Sequence, residues 1–190
     1  TPGLKVEHHR EITLGYEWLF GSDLKTTIRG VRRDLLSAFG FGLDPTGPAY
    51  YVLGVAGEGA LSFLPKARRS YTALELSAEW AHGQRLQARL SYVLSRTYGN
   101  YTGFYASDYG GAAPGFFGGL QLAEQRKNST GLLPNDRTHV LKLSGAYQFG
   151  FGLTSGFFVT WQSGTPLNEF GASPYIRKTF LVPRGSAGRT

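Results

Sequence analysis

The sequence predicts an all-β fold: an antiparallel transmembrane β-barrel, partial, with about six strands arranged as three hairpins. Three observations carry this. The first is an unusually long alternation from Tyr71 to Ser95. Leu74, Leu76, Ala78 and Trp80 share one face, while Ala73, Glu75, Ser77 and Glu79 share the other. After a short AHGQ connection, Leu86, Ala88, Leu90, Tyr92 and Leu94 oppose Gln87, Arg89, Ser91, Val93 and Ser95. A strand turns successive side chains to opposite faces, so this pattern is a hairpin. The second observation is asymmetry. Turns within hairpins take about three or four residues and links between hairpins about 35 to 40, a contrast expected of outer-membrane barrels and rare in compact soluble domains. The third is the content of the two faces. Glu75, Glu79, Arg89 and Lys142 stand mid-strand on the polar side, as in a wet lumen. Trp18, Phe20, Trp80, Tyr147 and Phe149 end the apolar strips beside the short turns, as in an interfacial girdle, and Trp161 is a further lipid-interface ring.

Taken in order, hairpin one spans about residues 11–34. Ile12, Leu14, Tyr16, Trp18 and Phe20 oppose Glu11, Thr13, Gly15 and Glu17. Gly21-Ser22-Asp23 gives the turn, and a more weakly patterned strand follows from Leu24. Residues 35–69 form a long link rich in Gly and Pro, with room for a short helix or small strands. Hairpin two covers about 71–96. A second long link, about 97–136, is dense in Tyr, Phe and Gly before turning polar. Its rings at Tyr98, Tyr101, Phe104, Tyr105, Tyr109 and Phe116 are candidates for a ligand-facing surface, because aromatics supply large contact areas at low entropic cost; the alternative is that they pack the loops on one another or meet the outer lipid interface. Hairpin three covers about 137–163, turning at Gly150-Phe151-Gly152. Only Tyr175 to Val182 resembles a strand in the tail. Six strands do not close a barrel of known size, and open edges in lipid are costly. The residues therefore read as part of one larger barrel domain, with any plug domain outside them.

The chain has 190 residues, a formal net charge of +7 and no cysteine. Disulfides and thiolate metal sites are thereby excluded. The basic residues are scattered, as at Arg32-Arg33, Arg68-Arg69, Arg126-Lys127 and Arg177-Lys178, and follow no nucleic-acid-binding pattern. Acidic lipopolysaccharide or an anionic ligand fits them better than nucleic acid. His8 and His9 are neighbours in a strand and point apart, His82 lies in a turn and His139 opens a strand, so no metal set is expected. Glu75 and Glu79 stand roughly 13 Å apart along a strand, too far for a paired-carboxylate glycosidase. No catalytic or cofactor motif appears, and the chain does not read as an enzyme.

Three segments carry a family resemblance. They are TPGLKVEHHREITLGYEW at the start, SYTALELSAEWAHGQRLQARLSYVLSRTYGNYTGFY in the middle, and NDRTHVLKLSGAYQFGFGLTSGFFVTWQSGTPLN with RGSAGRT after it. In this order and spacing they resemble the C-terminal part of the barrel in large, Oar-like TonB-dependent receptors. The resemblance implies an outer-membrane receptor of a Gram-negative-type bacterium, with about 22 strands and a plug in its lumen. It implies uptake of a large or scarce ligand, driven through the plug region by the TonB complex. Outer-membrane lipid and lipopolysaccharide would then be its surroundings. Two other readings stand beside it. One is a small self-contained barrel or structural subunit drawing extra strands from residues 45–65 and 175–182; the other is a soluble β-sheet binding module.

Overall fold

A computed structural model describes residues 7–43, 51–103, 108, 123–171 and 179–190. Six long strands form one antiparallel meander: β1 (His8–Phe20), β2 (Leu24–Ser37), β5 (Arg69–His82), β6 (Leu86–Gly99), β8 (His139–Gln148) and β9 (Thr154–Gln162). A two-residue strand, β7 (Gly131–Leu132), continues the sheet on the far end of β6. Among the described residues, neither β1 nor β9 has a second neighbour, so the sheet is an open segment. The three expected hairpins are all present. The third turn is longer than expected, taking residues 149–153, with Phe149 N–H donating to the Leu153 carbonyl at 2.7 Å.

The alternation survives pairing because every register keeps like faces together. One outward row runs Tyr16, Ile28, Leu76, Tyr92, Leu141, Trp161, and the next runs Trp18, Thr26, Ala78, Leu90, Leu143, Val159. The opposite face carries the row Gly15, Arg29, Glu75, Val93, Val140, Gln162. Within the apolar rows, glycine admits a large neighbour. A Cβ at Gly145 would stand 2.8 Å from the Phe157 ring, which instead lies across the bare backbone.

The registers also fix a stagger. Leu24, two residues past the first apex at Ser22, pairs with Trp80, four residues short of the second apex at Gln84. Leu86, two past Gln84, pairs with Tyr147, four short of the third apex at Phe151. Each hairpin thus reaches two residues further than the last, which is one residue per strand. With the turns at one level, a rise of about 3.3 Å per strand spacing of about 4.8 Å tilts the strands by about 35°. Outer-membrane barrels tilt by about 35–45°.

Beyond the main sheet, described parts of the first link and of the tail form small ribbons of their own. β3 (Phe39–Leu43) and β4 (Tyr51–Val55) make their own ribbon, followed by a 3-10 turn at Gly59–Leu61. β10 (Phe170–Gly171) and β11 (Thr179–Phe180) make a second ribbon. A one-turn helix, α1 (Ala123–Arg126), precedes β7. Neither ribbon joins the main sheet, so residues 51–55 and 179–180 do not supply the added barrel strands that a self-contained barrel would need. The rest of the possible tail strand, residues 175–178, lies outside the described residues. Buried apolar residues gather at the loop end, with Leu35, Ala38, Ala56, Ala67 and Tyr101 in one cluster.

At the short-turn end, His82 Nδ1 meets Asp23 Oδ2 at 2.6 Å. Hydrogen bonds from Ser22 first and then His82 hold the Asp23 carboxyl below its usual range. A lowered pKa means the contact is fully present above the ordinary carboxylate range and is lost as pH falls through the folded value. An NMR titration is expected to show Asp23 protonating at lower pH than a free aspartate, and the shift is expected to shrink in Ser22→Ala.

Candidate functional site

The polar face forms a wall of cross-strand ion pairs. Arg33 Nε donates to Glu11 Oε2 at 2.6 Å, Lys25 Nζ meets Glu17 Oε2 at 2.8 Å, and Arg29 Nε donates to Glu75 Oε2 at 2.8 Å. Arg89 pairs with Glu79 in the same way. Each pair ties neighbouring strands, and each is solvated enough that it adds little to stability on its own. The wall is concave, and near the loop end His9, Arg33, Arg69, Tyr71, Arg137 and Lys142 line a hollow of about 560 Å³. Arg69 donates to the Thr102 carbonyl at 3.3 Å and Arg137 to the Ser163 carbonyl at 2.6 Å. Lys142 forms no ion pair among the described residues. The hollow is therefore electropositive, since Arg33 and His9 bring carboxylates with them, from Glu11 and Glu7, while Arg69, Arg137 and Lys142 bring none.

On the convex face the aromatic rings take two levels. Trp18, Trp80 and Tyr147 each stand four residues before their turn apex, and Phe20 and Phe149 stand two before. In the staggered frame these five rings share one level beside the turns. Tyr16 packs edge-on against Trp18 at 4.3 Å between centroids, and Tyr147 against Phe149 at 5.0 Å. Trp161 stands ten residues past its apex, close to the loop end instead. His139 is held there, its Nδ1 hydrogen-bonded to the Tyr92 hydroxyl at 2.8 Å and its ring tilted against Trp161 at 6.3 Å. It is a half-buried, bonded histidine and not a freely solvated one.

The candidate ligand-facing rings divide. Tyr101 is 8% exposed and packs in the loop-end cluster, so it does not present its ring to a ligand. It packs there with Leu35 and Ala56, the loop-packing role also open to these rings. Tyr98 falls on the convex face, with the Arg96 guanidinium 4.6 Å above its ring. Phe104, Tyr105, Tyr109 and Phe116 lie outside the described residues.

A buried polar hub escapes sequence reasoning. The Arg184 guanidinium and the Asp108 carboxylate are each 2% exposed and paired, with Nε donating to Oδ2 at 2.7 Å. Arg184 Nη1 also donates to the Asn100 carbonyl at 3.1 Å, and the Arg184 carbonyl accepts from Leu132 N–H at 3.0 Å. Asp136, fully buried, accepts from Thr97 N–H and from Arg189 Nη2 at 2.6 Å. Gly185 N–H donates to Asn168 Oδ1 at 2.7 Å. The GNY, NDR, SGTP and RGSAGRT stretches, far apart in the chain, thus meet at one point. Gly131 is required for the approach, since a Cβ there would stand 1.9 Å from the Arg184 oxygen.

An open antiparallel sheet with one apolar convex face and one ion-paired concave face is the architecture of a β-barrel wall segment. Over its whole length the chain is 32% identical to the TonB-dependent transporter Oar of Myxococcus xanthus. The chain spans 18% of that protein's length, so it is related to a region of a TonB-dependent transporter. No family model matches the chain, and no solved structure does.

Arg184→Gln is expected to cost about 3–5 kcal/mol of local stability, because it strands a buried carboxylate at Asp108. Hydrogen exchange at the Leu132 amide reads this directly, and Arg184→Met combined with Asp108→Leu is expected to recover much of the loss. Gly131→Ala is expected to unseat the tail and speed trypsin cleavage after Arg184 by roughly tenfold or more, since cleavage needs the site opened.

Proposed function

We propose that these residues form part of the wall of an outer-membrane, TonB-dependent transporter, which imports a large or scarce ligand through a plugged barrel. The observation that carries this reading is the uncharged convex band. From the turns up to Leu14, Leu74 and Leu94, no outward strand position bears an Asp, Glu, Lys or Arg, while the concave face carries four ion pairs. Between Phe20 and Leu14 that band rises about 16 Å at a tilt of about 35°, and about 22 Å up to the Ile12 row where the first arginines stand, against the roughly 25 Å apolar height of outer-membrane barrels. Exposed leucines on this scale, such as Leu14 at 80%, need a partner, and hydrocarbon supplies it without a specific interface.

In this setting Trp18, Phe20, Trp80, Tyr147 and Phe149 sit at the headgroup level on the turn side, and Trp161 near the opposite boundary. The turns face the periplasm and the long links face outward, where Phe104, Tyr105, Tyr109 and Phe116 are the remaining ligand-contact candidates. The electropositive hollow favours an anionic surface, either on the ligand or on the plug. Relationship to a protein named as a TonB-dependent transporter supports transport as the function class. Energy coupling would pass through a plug region that lies outside these strands.

The test uses the full-length protein in its own outer membrane, with single cysteines placed along 73–80 and 88–94. Period-two behaviour is expected. Even positions report lipid to a spin label and odd positions report water, with the two sets interchanged nowhere. Uniform water accessibility would overturn membrane insertion. Normal insertion together with no binding of TonB's periplasmic domain would overturn the TonB-dependent step alone.

A further inference from the structure

The convex face is uncharged up to Leu74 and Leu94, and then three arginines arrive together. One cross-strand row runs Ile12, Arg32, Thr72, Arg96, and the row above it runs Arg10, Asp34, Ser70, Tyr98. Strand alternation turns all of these outward, onto the same side as the apolar band. Asp34 pairs with Arg32 at 2.7 Å and lies 3.5 Å from Arg10, so one carboxylate serves two cations. Arg32 Nη1 also donates to Thr72 Oγ1 at 2.7 Å. Arg96 has no carboxylate partner among the described residues and lies over Tyr98. The side chains of Arg10 and Arg32 stay 62% and 51% exposed.

Position gives this cluster its meaning. Arginine facing hydrocarbon at mid-depth is strongly disfavoured, yet is tolerated at almost no cost at the interface. The arginines stand ten and twelve residues from the first two turn apices, at the loop-side ceiling of the apolar band. The turn-side edge carries the His82–Asp23 pair and the single arginine Arg85, against three arginines at the loop-side edge, so most of the excess positive charge belongs to one leaflet. Guanidinium forks match phosphate oxygens in bidentate fashion. Arg32 and Arg96 are separated by two strand spacings, about 9.6 Å, which suits separate phosphates or separate edges of one headgroup.

We propose that Arg10, Arg32 and Arg96, steadied by Asp34, Thr72 and Tyr98, bind the phosphate groups of a glycolipid in the outer leaflet. The site rests on the membrane-barrel reading and adds to it a lipid-recognition function with named residues.

The experiment places full-length protein in phosphatidylcholine nanodiscs doped with bis-phosphorylated lipid A or with its dephosphorylated form. Co-purified lipid is counted by native mass spectrometry, and insertion is followed by heat-dependent gel mobility. Wild type is expected to retain the phosphorylated lipid at least tenfold better. R32Q/R96Q is expected to lose about 25-fold in retention, at about fivefold per arginine, while inserting normally. Normal insertion with equal retention of the two lipids would overturn the site and leave the barrel reading intact. Failure to insert would overturn both. Displacement of the lipid by millimolar inorganic phosphate would mark a free-anion site and overturn the lipid assignment.

Discussion

A slip of one residue anywhere along β5 would carry Glu75 and Glu79 onto the face that holds Leu74, Leu76 and Trp80. Both neighbours would then be mispaired, because Glu75 meets Arg29 on one side and Glu79 meets Arg89 on the other. The period-two pattern therefore locks register across the whole meander, and the remaining features inherit that lock. It fixes which rings share a row, where the glycine at 145 admits Phe157, and how far each hairpin overhangs the last. The one-residue stagger per strand is a consequence of those same pairings. A sheet staggered in this way curves and tilts, and it puts the ion pairs on its concave side.

Register alone does not hold the loop end. There the strands run past the apolar band into capping ribbons, and the chain is tied down by buried charge. Asp136 gathers Thr97 and Arg189, while Arg184 gathers Asp108, Asn100 and Leu132. Buried pairs of this kind add specificity more than raw stability, because desolvation offsets most of their attraction. Their effect here is positional. They seat the tail against the ends of β6 and β7 and so fix the rim from which the long second link departs.

How much of this the sequence disclosed follows from how local each signal is. The three hairpins were legible because alternation over ten or more residues and a tight turn are contained in one stretch. Mid-strand Glu75, Glu79, Arg89 and Lys142 were legible as a polar face for the same reason. The capping ribbons were not, since strands of two to five residues carry no readable period. Tyr101 read as a loop ring because nothing nearby in sequence announces that Leu35, Ala56 and Ala67 will cover it. The hub was hidden for a further reason: Arg184 and Asp108 lie 76 positions apart, and buried charge pairs have no pattern of their own. The motif stretches that carried the family resemblance nevertheless supplied most of its members.

The central claim is that these strands stand tilted in a bilayer as part of a barrel wall. Polarised infrared dichroism of the full-length protein in oriented bilayers measures that tilt from the amide I band. The expected mean strand angle lies at the low end of the roughly 35–45° range from the membrane normal. Strands lying near the membrane plane, or an isotropic signal from protein that stays in the aqueous phase, would contradict it.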